Sequence, residues 1–555
     1  MKSTIAINCI NSGTTKTIRR GTSLHELIKE FGVEMKNPIL GAMVNNELEE
    51  LSFEVFHPIS VQFIDITHPD GMRMYLRGLS FVLYKAVDEL FPESKLRINH
   101  SISKGFYCKI YSQNQELKAE DVVKVRERMI EIVAADLPFI HMEEETEEVI
   151  KKFEANGLND KISLLRHKGQ NFSSYYKLEG HINAFYGYMV PGTGYLKVFD
   201  LNSYYNGMLL QLPQKSNPSL VENVITQNKL FEIFQEFSQW IRILEVPNIS
   251  DLNHACSNGK SEDLIKISEA LHEKKIGQIA DSIKAKSNQV KIILISGPSS
   301  SGKTTFGKRL AIHLMVNGMK PLNLSLDNYF VDRDKTPLDE YGNHDYEALE
   351  ALDINYFNQN LLQLLNGEKV EIPKFSFETG TRYYNGEIMH MQPDNVLIIE
   401  GIHGLNPQLT SAIPADLKFK IYVSALTSLN IDDHNRVSTT DNRLIRRLVR
   451  DYRFRKYTAR DTISRWQSVR DGEEKHIFPF QEEADTMFNS ALLYELAVLK
   501  PYAEPILREV QPNQTEYSEA TRLMSFFSYI KLLKPREIPP TSILREFLGG
   551  SSFNY

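Results

Sequence analysis

A glycine-rich segment in the second half of the chain has the spacing of a phosphate-binding loop. The pattern Gly-x-x-x-x-Gly-Lys-Thr is met at Gly297, Gly302, Lys303 and Thr304. The glycines let the backbone curl so that its N–H groups face phosphate oxygens, while Lys303 would reach the β- and γ-phosphates and Thr304 would hold Mg²⁺. The sequence thus predicts a nucleoside-triphosphate site made of Gly297, Pro298, Ser299, Ser300, Ser301, Gly302, Lys303, Thr304 and Thr305.

The flanks of this loop support the same interpretation. An apolar run at 292–295 precedes the loop, and a helical run at 305–315 follows it. A strand that leads through a glycine-rich turn into a helix is the setting in which such loops bind phosphate, because the helix adds its positive end. A glycine- and serine-rich surface loop is the alternative, and it would need neither flanking element.

Two acidic residues end predicted strands further along the chain. Asp327 follows the run 322–326, and Glu400 follows the run 396–399. A carboxylate at the carboxyl end of a parallel strand faces the crevice where ligands bind. Asp327 is therefore a candidate base, and Glu400 could hold Mg²⁺ through water. A turn or capping aspartate and a loop glutamate are the plainer alternatives.

Basic residues are concentrated behind the loop. Residues 443–470 contain ten lysines and arginines against two aspartates. Such a run is most often a solvated basic helix, and nucleic-acid contact is another interpretation. In a chain with a phosphate loop we favour a lid that closes arginines over the phosphates. One such arginine can be worth about 10³–10⁵-fold in rate.

A GTPase is the competing class of nucleotide-binding protein. It needs an Asn-Lys-x-Asp motif downstream of the loop, whereas the nearest match, at 228–231, lies upstream and lacks the aspartate. A kinase needs a base for the acceptor hydroxyl, a second Mg²⁺ ligand and cations for the transition state. The chain offers each of these, so we predict a kinase of a small molecule with ATP and Mg²⁺ as cofactors. GTP as the phosphoryl donor stays open.

The elements that must position these residues have the pattern of a parallel α/β sheet. Short apolar runs at 292–295, 322–326, 396–399 and 419–423 alternate with helical segments. We therefore expect an α/β P-loop kinase domain over 291–510, with a parallel sheet and helices on both faces.

The remaining chain divides into four further parts, since 555 residues are too many for one core. Ser23 and Glu26 have the spacing of a helix capping box, and apolar residues between 263 and 286 recur at helical spacing. We expect the latter helix to pack on the kinase domain. The predicted parts are a small β-rich domain at 1–66, an α+β domain at 67–245, a helical connector at 246–290 and a helical tail at 511–555.

Composition excludes several classes of protein. A net charge of −7 gives no general attraction to nucleic acid or to anionic membranes. The three scattered cysteines, Cys9, Cys108 and Cys256, argue against a disulfide framework and fit a reducing compartment. The N-terminus leads into a strand-like run rather than a signal peptide, and no apolar stretch approaches the ~20 residues that cross a bilayer. We expect a cytoplasmic protein that does not contact membranes.

Taken together, these segments resemble the uridine kinase/phosphoribulokinase family. The match is carried by the phosphate loop, by 327–330, 372–382 and 446–451, and by the acidic stretch 343–349. In that family the aspartate matching Asp327 acts as base toward a 5′-hydroxyl, and lid arginines approach the phosphates. The resemblance implies catalytic roles for Asp327, Lys303, Arg447, Arg450 and Arg455, and acceptor contacts from Tyr329, Asp345, Phe375, Phe377 and Arg382.

Some positions depart from the family pattern. Phe375 and Gly380 stand where uridine kinases usually have the tyrosine and histidine that help read a pyrimidine. Tyr457 replaces a late lid arginine, and Arg465 lies near a usual glutamine. We therefore expect intact catalysis and an altered base-reading pocket.

The N-terminal half resembles the front of threonyl-tRNA synthetase. Residues 1–66 resemble its TGS domain, which is β-grasp-like, and 67–245 resemble its editing-type domain through the segment 99–107. The synthetase editing site uses two histidines on a helix, where this chain has Gly78 and Val82, and a later cysteine and histidine that 191–196 lacks. We expect the metal-dependent editing site to be lost and His100 to be a core or loop hydrogen-bonder. The role left to this half would then be contact with RNA, with a small ligand or with another subunit.

Three functions are compatible with these features. The combination of domains resembles bacterial TGS-containing nucleoside kinases, which predicts a homo-oligomeric kinase of a uridine- or cytidine-like nucleoside. A kinase of another small alcohol or of a sugar phosphate is the second hypothesis, and an RNA-binding regulatory protein that uses ATP as a switch is the third. An aromatic pocket around Phe375 and Phe377 would favour a flat base, whereas a cationic pocket would favour a phosphorylated sugar.

Overall fold

The computed structural model describes residues 4–112, 117–339, 342 and 344–554. The N-terminal part contains β1 (Thr4–Cys9), β2 (Thr14–Arg19), β3 (Thr22–Ser23), α1 (Leu24–Phe31), β4 (Gly41–Val44), β5 (Glu47–Glu49), β6 (Glu54–Val55) and β7 (Ile59–Ile64). Five of these strands form a sheet in the order β2-β1-β7-β4-β5, and α1 packs on it. The predicted capping box is confirmed at the start of α1, where Ser23 Oγ accepts the N–H of Glu26 at 3.2 Å.

A second part combines helices with two antiparallel sheets. Its elements are α2 (Pro69–Leu90), β8 (Lys95–Ile102), β9 (Gly105–Tyr111), α3 (Ala119–Ala134), β10 (Ile140–Glu145), α4 (Thr146–Ala155), α5 (Asn159–Lys168), β11 (Phe172–Leu178), β12 (His181–Asn183), β13 (Asp200–Tyr204), β14 (Gly207–Gln211) and α6 (Asn228–Leu244). The sheets have the strand orders β10-β11-β12 and β13-β14-β9-β8. The long helix α2 lies in the core of this part, which makes it an α+β unit.

The connector and the C-terminal part follow. Their elements are α7 (Ile249–Ser257), α8 (Ser261–Ala285), β15 (Ile292–Ser296), α9 (Lys303–Val316), β16 (Lys320–Ser325), α10 (Ile354–Leu365), β17 (Lys369–Glu371), β18 (Lys374–Ser376), β19 (Thr381–Tyr383), β20 (Ile388–His390), β21 (Asn395–Glu400), β22 (Lys418–Ser424), α11 (Thr439–Arg455), α12 (Ala459–His476), β23 (Thr486–Asn489), α13 (Glu495–Leu507), α14 (Tyr517–Phe527) and α15 (Arg545–Leu548). The connecting helix α8 packs on α9 within one shared core.

The central sheet of this part is parallel throughout, in the order β16-β21-β15-β22-β23. Side chains of β15 alternate between two cores. Ile293 and Ile295 pack with α8, α9 and α11, whereas Ile292 and Leu294 pack with α10 on the other face. The predicted P-loop kinase fold, with helices on both faces of the sheet, is thus correct. The edge strand β23 was not predicted, because its sequence, Thr-Met-Phe-Asn, is not an apolar run.

The sheet places the phosphate loop and the predicted acidic residues at one edge. β15, β16 and β21 run parallel, so their carboxyl ends lie at the same edge of the sheet. The loop after β15, Asp327 after β16 and Glu400 at the end of β21 therefore lie at that edge. None of the helices in the described residues combines the length and the apolar character that a bilayer crossing demands.

Candidate active site

The phosphate loop joins β15 to the first turn of α9. A Cβ atom on Gly297 would lie 1.9 Å from the carbonyl oxygen of Val423, so this position has no room for a side chain. Gly302 has a φ of 82°, in the left-handed region that glycine adopts at little cost. α9 begins at the next residue, Lys303, so the first N–H groups of this helix face the loop. The result is a backbone cradle suited to an anion.

A buried ion pair supports the loop from behind. Arg443 donates to the two carboxylate oxygens of Glu473 at 2.5 and 2.6 Å, and both side chains are almost completely buried. Glu473 accepts the Ser299 N–H at 3.0 Å, and Arg443 donates to the Ser299 carbonyl at 3.1 Å. Burial acts to raise the pKa of Glu473, but the Arg443 charge outweighs it and lowers that pKa. This pair holds the loop in shape.

A second buried arginine has the same structural role. Arg446 pairs with Glu495 and also donates to the Ser490 carbonyl at 2.8 Å, and it approaches the Ser300 carbonyl at 3.4 Å. Ser490 Oγ in turn donates to the Ser301 carbonyl at 2.5 Å. The basic run therefore does not form one lid. Its first members, Arg443 and Arg446, are internal supports of the phosphate loop.

The three arginines predicted for the lid gather around one aspartate. Asp451 lies 3.3 Å from Arg447, 2.7 Å from Arg450 and 3.7 Å from Arg455. Arg447 also donates to Ser299 Oγ at 2.8 Å, which brings it onto the phosphate loop. Burial acts to raise the pKa of Asp451, but the arginine charges keep it below its usual value. Asp451 thus orients these three cations beside the loop.

Asp327 and Glu400 lie close to the loop lysine. Burial raises the pKa of Asp327, against the opposing charges of Lys303, Arg455 and Arg450. Burial, assisted by the charge of Asp327, raises the pKa of Glu400 to about 7. Burial lowers the pKa of Lys303, whose amino group donates to the Pro298 carbonyl at 3.0 Å. The site therefore contains two crowded carboxylates next to one lysine.

Thr304 and Glu400 fit a magnesium ion. Thr304 Oγ1 donates to Glu400 at 3.4 Å, and Ser325 Oγ donates to the same carboxylate at 3.0 Å. Mg²⁺ prefers oxygen ligands and usually takes only one or two from protein, with phosphate oxygens and waters completing the shell. Within the described residues no group of three or more His, Cys, Asp or Glu could hold a metal, and a site of this kind does not require one.

Aromatic rings cluster around β18, where acceptor contacts were predicted. Phe375 on β18 lies 5.6 Å from Phe330 and 5.3 Å from Phe377, measured between ring centroids. The guanidinium of Arg455 lies 5.4 Å from the centre of the Phe377 ring, which joins the lid to this cluster. Phe330 was missed by the sequence analysis, although it lies within the matched segment 327–330. Of the predicted residues, Phe375 is half-buried and Phe377 is 47% exposed.

Tyr329 does not line the acceptor side. The residue is completely buried, and its hydroxyl accepts a hydrogen bond from Asn360 at 3.3 Å inside the second core. The tight turn at 326–329 directs Tyr329 inward, and Phe330 belongs to the aromatic cluster instead. Its complete burial gives the predicted acceptor contact of Tyr329 no support. Arg382 is held nearby, because it donates to Asp353 and to the Tyr329 and Phe330 carbonyls, each at 3.1 Å.

A histidine at position 380 would adopt an unfavourable φ and would require Arg333 to move. The φ of Gly380 is 71°, and a Cβ atom would lie 2.7 Å from the side chain of Arg333. Arg333 is fixed there by a 2.7 Å hydrogen bond to the Phe377 carbonyl. An arginine thus lies against the position where the resembling family has a base-reading histidine, so any base would meet a different surface.

The acidic stretch 344–349 contributes two carboxylates, while Asn343 lies outside the described residues. Asp345 accepts the Glu347 N–H at 3.0 Å and lies 3.8 Å from His476. Glu347 was not predicted. Burial and the charge of Glu473 raise the pKa of Glu347 to about 7, although the charges of Arg447 and Lys303 act to lower it. The Oε2 atom of Glu347 is buried without a hydrogen bond. Asp345 has no described contact with Asp327 or the aromatic cluster.

The positions that match the synthetase editing site are apolar and packed. Gly78 lies on α2, where a Cβ atom would be 3.1 Å from a methyl group of Leu196 and 3.2 Å from one of Val190, and Val82 is completely buried. His100 stacks on Phe234 with a centroid distance of 3.7 Å, and burial lowers its pKa to about 3. A neutral, stacked histidine is a core residue and not a ligand for an open site.

A P-loop fold with a carboxylate pair, a lysine and an arginine lid defines a phosphotransferase of the nucleotide-dependent kinase class. Comparison with known proteins agrees, because residues 292–493 match the model of the Phosphoribulokinase / Uridine kinase family. This segment is a kinase domain of that family.

The N-terminal half is similar to threonine–tRNA ligases. The ligase of Ehrlichia chaffeensis is 27% identical over 197 residues, which are 35% of this chain and 31% of that protein. The ligase of Laribacter hongkongensis is 27% identical over 190 residues, 34% of this chain and 30% of that protein. The chain thus spans about a third of the length of the curated relatives it matches.

Solved structures give weak overall superpositions. A possible uridine kinase from Bacillus stearothermophilus is 19% identical, with a TM-score of 0.28, and the match covers 39% of this chain and 98% of that one. D-glycerate 3-kinase from Cryptococcus neoformans is 14% identical, with a TM-score of 0.22, and covers 48% of this chain and 89% of that one.

Proposed function

We propose that this protein transfers the γ-phosphoryl group of ATP to the 5′-hydroxyl of a nucleoside, with Mg²⁺ as cofactor. The observation that carries the proposal is the position of Asp327. Its carboxylate interacts with Lys303 and with the lid residues Arg450 and Arg455. Three residues further on, Phe330 opens the aromatic cluster. The cations around Asp327, and an aromatic cluster that begins three residues further along the chain, support a role for Asp327 as the base toward a flat acceptor.

Each group has a defined part in the reaction. The acceptor hydroxyl gives its proton to Asp327, its oxygen forms the new bond to the γ-phosphorus, and the bond from that phosphorus to the ADP oxygen breaks. A carboxylate with a raised pKa is a better base for this step. Lys303, Arg447, Arg450 and Arg455 stabilise the charge on the moving group. Mg²⁺, held by Thr304 and Glu400, would neutralise the β- and γ-phosphate oxygens.

The aromatic cluster favours a nucleoside over a sugar phosphate. Phe330, Phe375 and Phe377 offer ring faces on which a base can stack, and stacking on aromatic side chains is worth about 1–3 kcal/mol per base. The cation most suited to bind an acceptor phosphate, Arg382, is already occupied by Asp353 and two carbonyl groups. Gly380 carries no side chain and Arg333 lies beside it, so the base that this protein prefers can differ from the pyrimidine that uridine kinases bind.

For the N-terminal half we propose contact with RNA, supported by its similarity to threonine–tRNA ligases. Binding that depends on phosphate contacts should weaken steeply as salt is raised. A gel-shift titration of the full chain with tRNA at two salt concentrations tests this. No shift at the lower salt concentration would argue against RNA and leave a small ligand as the alternative.

ADP release measured across the common nucleosides tests the kinase proposal. We expect turnover with at least one nucleoside, and loss of about 10²–10⁴-fold in Asp327→Asn with ATP binding retained. The matched control is Asp334→Asn, an exposed aspartate of the same loop, which should keep full turnover. Equal rates for Asp327→Asn and the control would refute the assignment of the base. No turnover with any nucleoside would refute the choice of acceptor.

A further inference from the structure

The C-terminal tail returns to the phosphate loop. After α14 the chain passes through several prolines into α15. Ile543, Phe547 and Leu548 of this segment are buried in the core shared with the central sheet. Ile543 lies against the loop, since a Cβ atom on Gly302 would be 2.5 Å from its Cγ2 atom. The Phe547 ring packs on the guanidinium of Arg446 at 5.1 Å. These contacts fix the tail against the loop.

One carboxylate of the tail binds the loop directly. Glu546 Oε2 accepts a hydrogen bond from Thr305 Oγ1 at 2.7 Å and another from the Thr305 N–H at 3.3 Å. Its negative charge also acts on Lys303 and Glu400. Glu546 therefore lies at the first turn of α9 and among the groups that we assign to ATP and Mg²⁺.

The groups that Glu546 engages are those that a nucleotide would use. N–H groups in the first turn of the helix after a phosphate loop bind phosphate oxygens. A carboxylate resembles a phosphate in its charge and in its acceptor oxygens. It cannot share the Thr305 N–H with one, because two like charges at hydrogen-bonding distance of the same donor repel strongly. ATP and this position of Glu546 are thus mutually exclusive.

We infer that Glu546 is an autoinhibitory group that occupies part of the phosphate site and must be displaced before ATP binds. This inference rests on the proposed ATP site. The apparent Kd of a ligand rises in proportion as the fraction of competent molecules falls. A tail that is in place in about 90% of the molecules weakens ATP binding about tenfold.

The tail also links the loop to the N-terminal half. On α14, Ser518 donates to Asp70 at 3.2 Å and Glu519 pairs with Arg73 at 2.9 Å. Both partners belong to the first turns of α2, in the part that resembles the synthetase. These contacts join the tail to the N-terminal half through α14.

Calorimetric titration of the full chain with ATP and Mg²⁺ tests the inference. Glu546→Gln removes the charge and Glu546→Ala removes the contact, so both should lower the apparent Kd, the alanine variant by about tenfold. The matched control is Glu537→Gln, an exposed glutamate of the same tail, which should bind as the unmodified chain does. Hydrogen exchange provides a measurement without substitution, since ATP should increase exchange at residues 542–549 of the unmodified chain.

The outcomes separate this inference from the proposed function. Equal Kd values in all variants, or unchanged exchange in the tail, would refute autoinhibition and leave the ATP site intact. Weaker binding by Glu546→Ala would show that Glu546 is a ligand of the nucleotide or its metal, which also overturns the inference. If folded protein binds no ATP in any variant, the proposed ATP site itself is wrong, and the inference fails with it.

Discussion

The pair formed by Glu473 and Arg443 gives a prediction whose size follows from the structure. The two side chains are exposed by 0% and 1%, and Glu473 also accepts from Arg470 at 3.1 Å and from the Ser299 N–H at 3.0 Å. Glu473→Gln keeps the shape but leaves Arg443 buried without its counter-charge. Breaking a buried pair in this way costs about 3–5 kcal/mol. The Ser299 N–H also loses a charged acceptor, so the KM for ATP should rise.

Denaturant unfolding followed by tryptophan fluorescence measures this loss. Trp466 lies 5.4 Å from the Arg443 guanidinium, and a Trp240→Phe background makes it the single tryptophan. The matched control is Glu474→Gln, whose partly exposed carboxylate should contribute only about 0–1 kcal/mol. A shift of the midpoint at unchanged slope reports stability alone.

Two results would refute this reasoning. One is a loss below about 1 kcal/mol in Glu473→Gln, because the pair would then be no more than a surface contact. The other concerns the double variant Arg443→Met with Glu473→Leu, which should recover much of the stability since apolar side chains can replace a buried pair. A double variant less stable than Glu473→Gln would show that the ion pair itself, and not an uncompensated charge, determines the loss.

Three further predictions concern the site. Arg455→Ala should lower the rate of ADP release by about 10³-fold or more. The control Arg453→Ala should not change this rate, because the Arg453 guanidinium lies over Tyr502. Equal rates for the two variants would contradict a lid role for Arg455. Since the pKa of Glu400 is about 7 and only its ionised form binds a cation, Mg²⁺ should bind more tightly at about pH 8 than at about pH 6; tighter binding at the lower pH would contradict this. Gly380→Ala should unfold at lower denaturant than Gly386→Ala, because both positions have positive φ but only Gly380 faces Arg333; equal midpoints would contradict the clash.

The features that could be predicted are those that a short stretch of sequence decides. The strand, glycine turn and helix around Lys303 are adjacent in the chain, and β15 begins with a run of four buried apolar residues. The acidic residues after β16 and β21 fall at one edge because parallel strands must have their carboxyl ends on the same side. Ser23 and Glu26 are three residues apart, so their capping box is visible in the sequence.

The features that could not be predicted depend on residues from distant parts of the chain. The basic run 443–455 does not show that Arg443 and Arg446 are buried, because their counter-charges Glu473 and Glu495 lie on α12 and α13. Arg447 and Arg450 share Asp451 of their own helix and stay at the crevice. An arginine in this run is therefore a structural support where a carboxylate from another helix reaches it, and a candidate for phosphate contact where none does.

The same reasoning explains why the tail was read only as a helical segment. Glu546 acquires a chemical role solely because α15 lies beside Thr305, which is 241 residues earlier in the chain. Charge and helical spacing describe Glu546 as an ordinary surface residue, while the geometry makes it a competitor for phosphate. Since a P-loop binds any anion that satisfies its N–H groups, a carboxylate supplied by the chain itself is enough to control access to it. Control of this kind leaves no motif, because it requires only one acidic residue at the right distance.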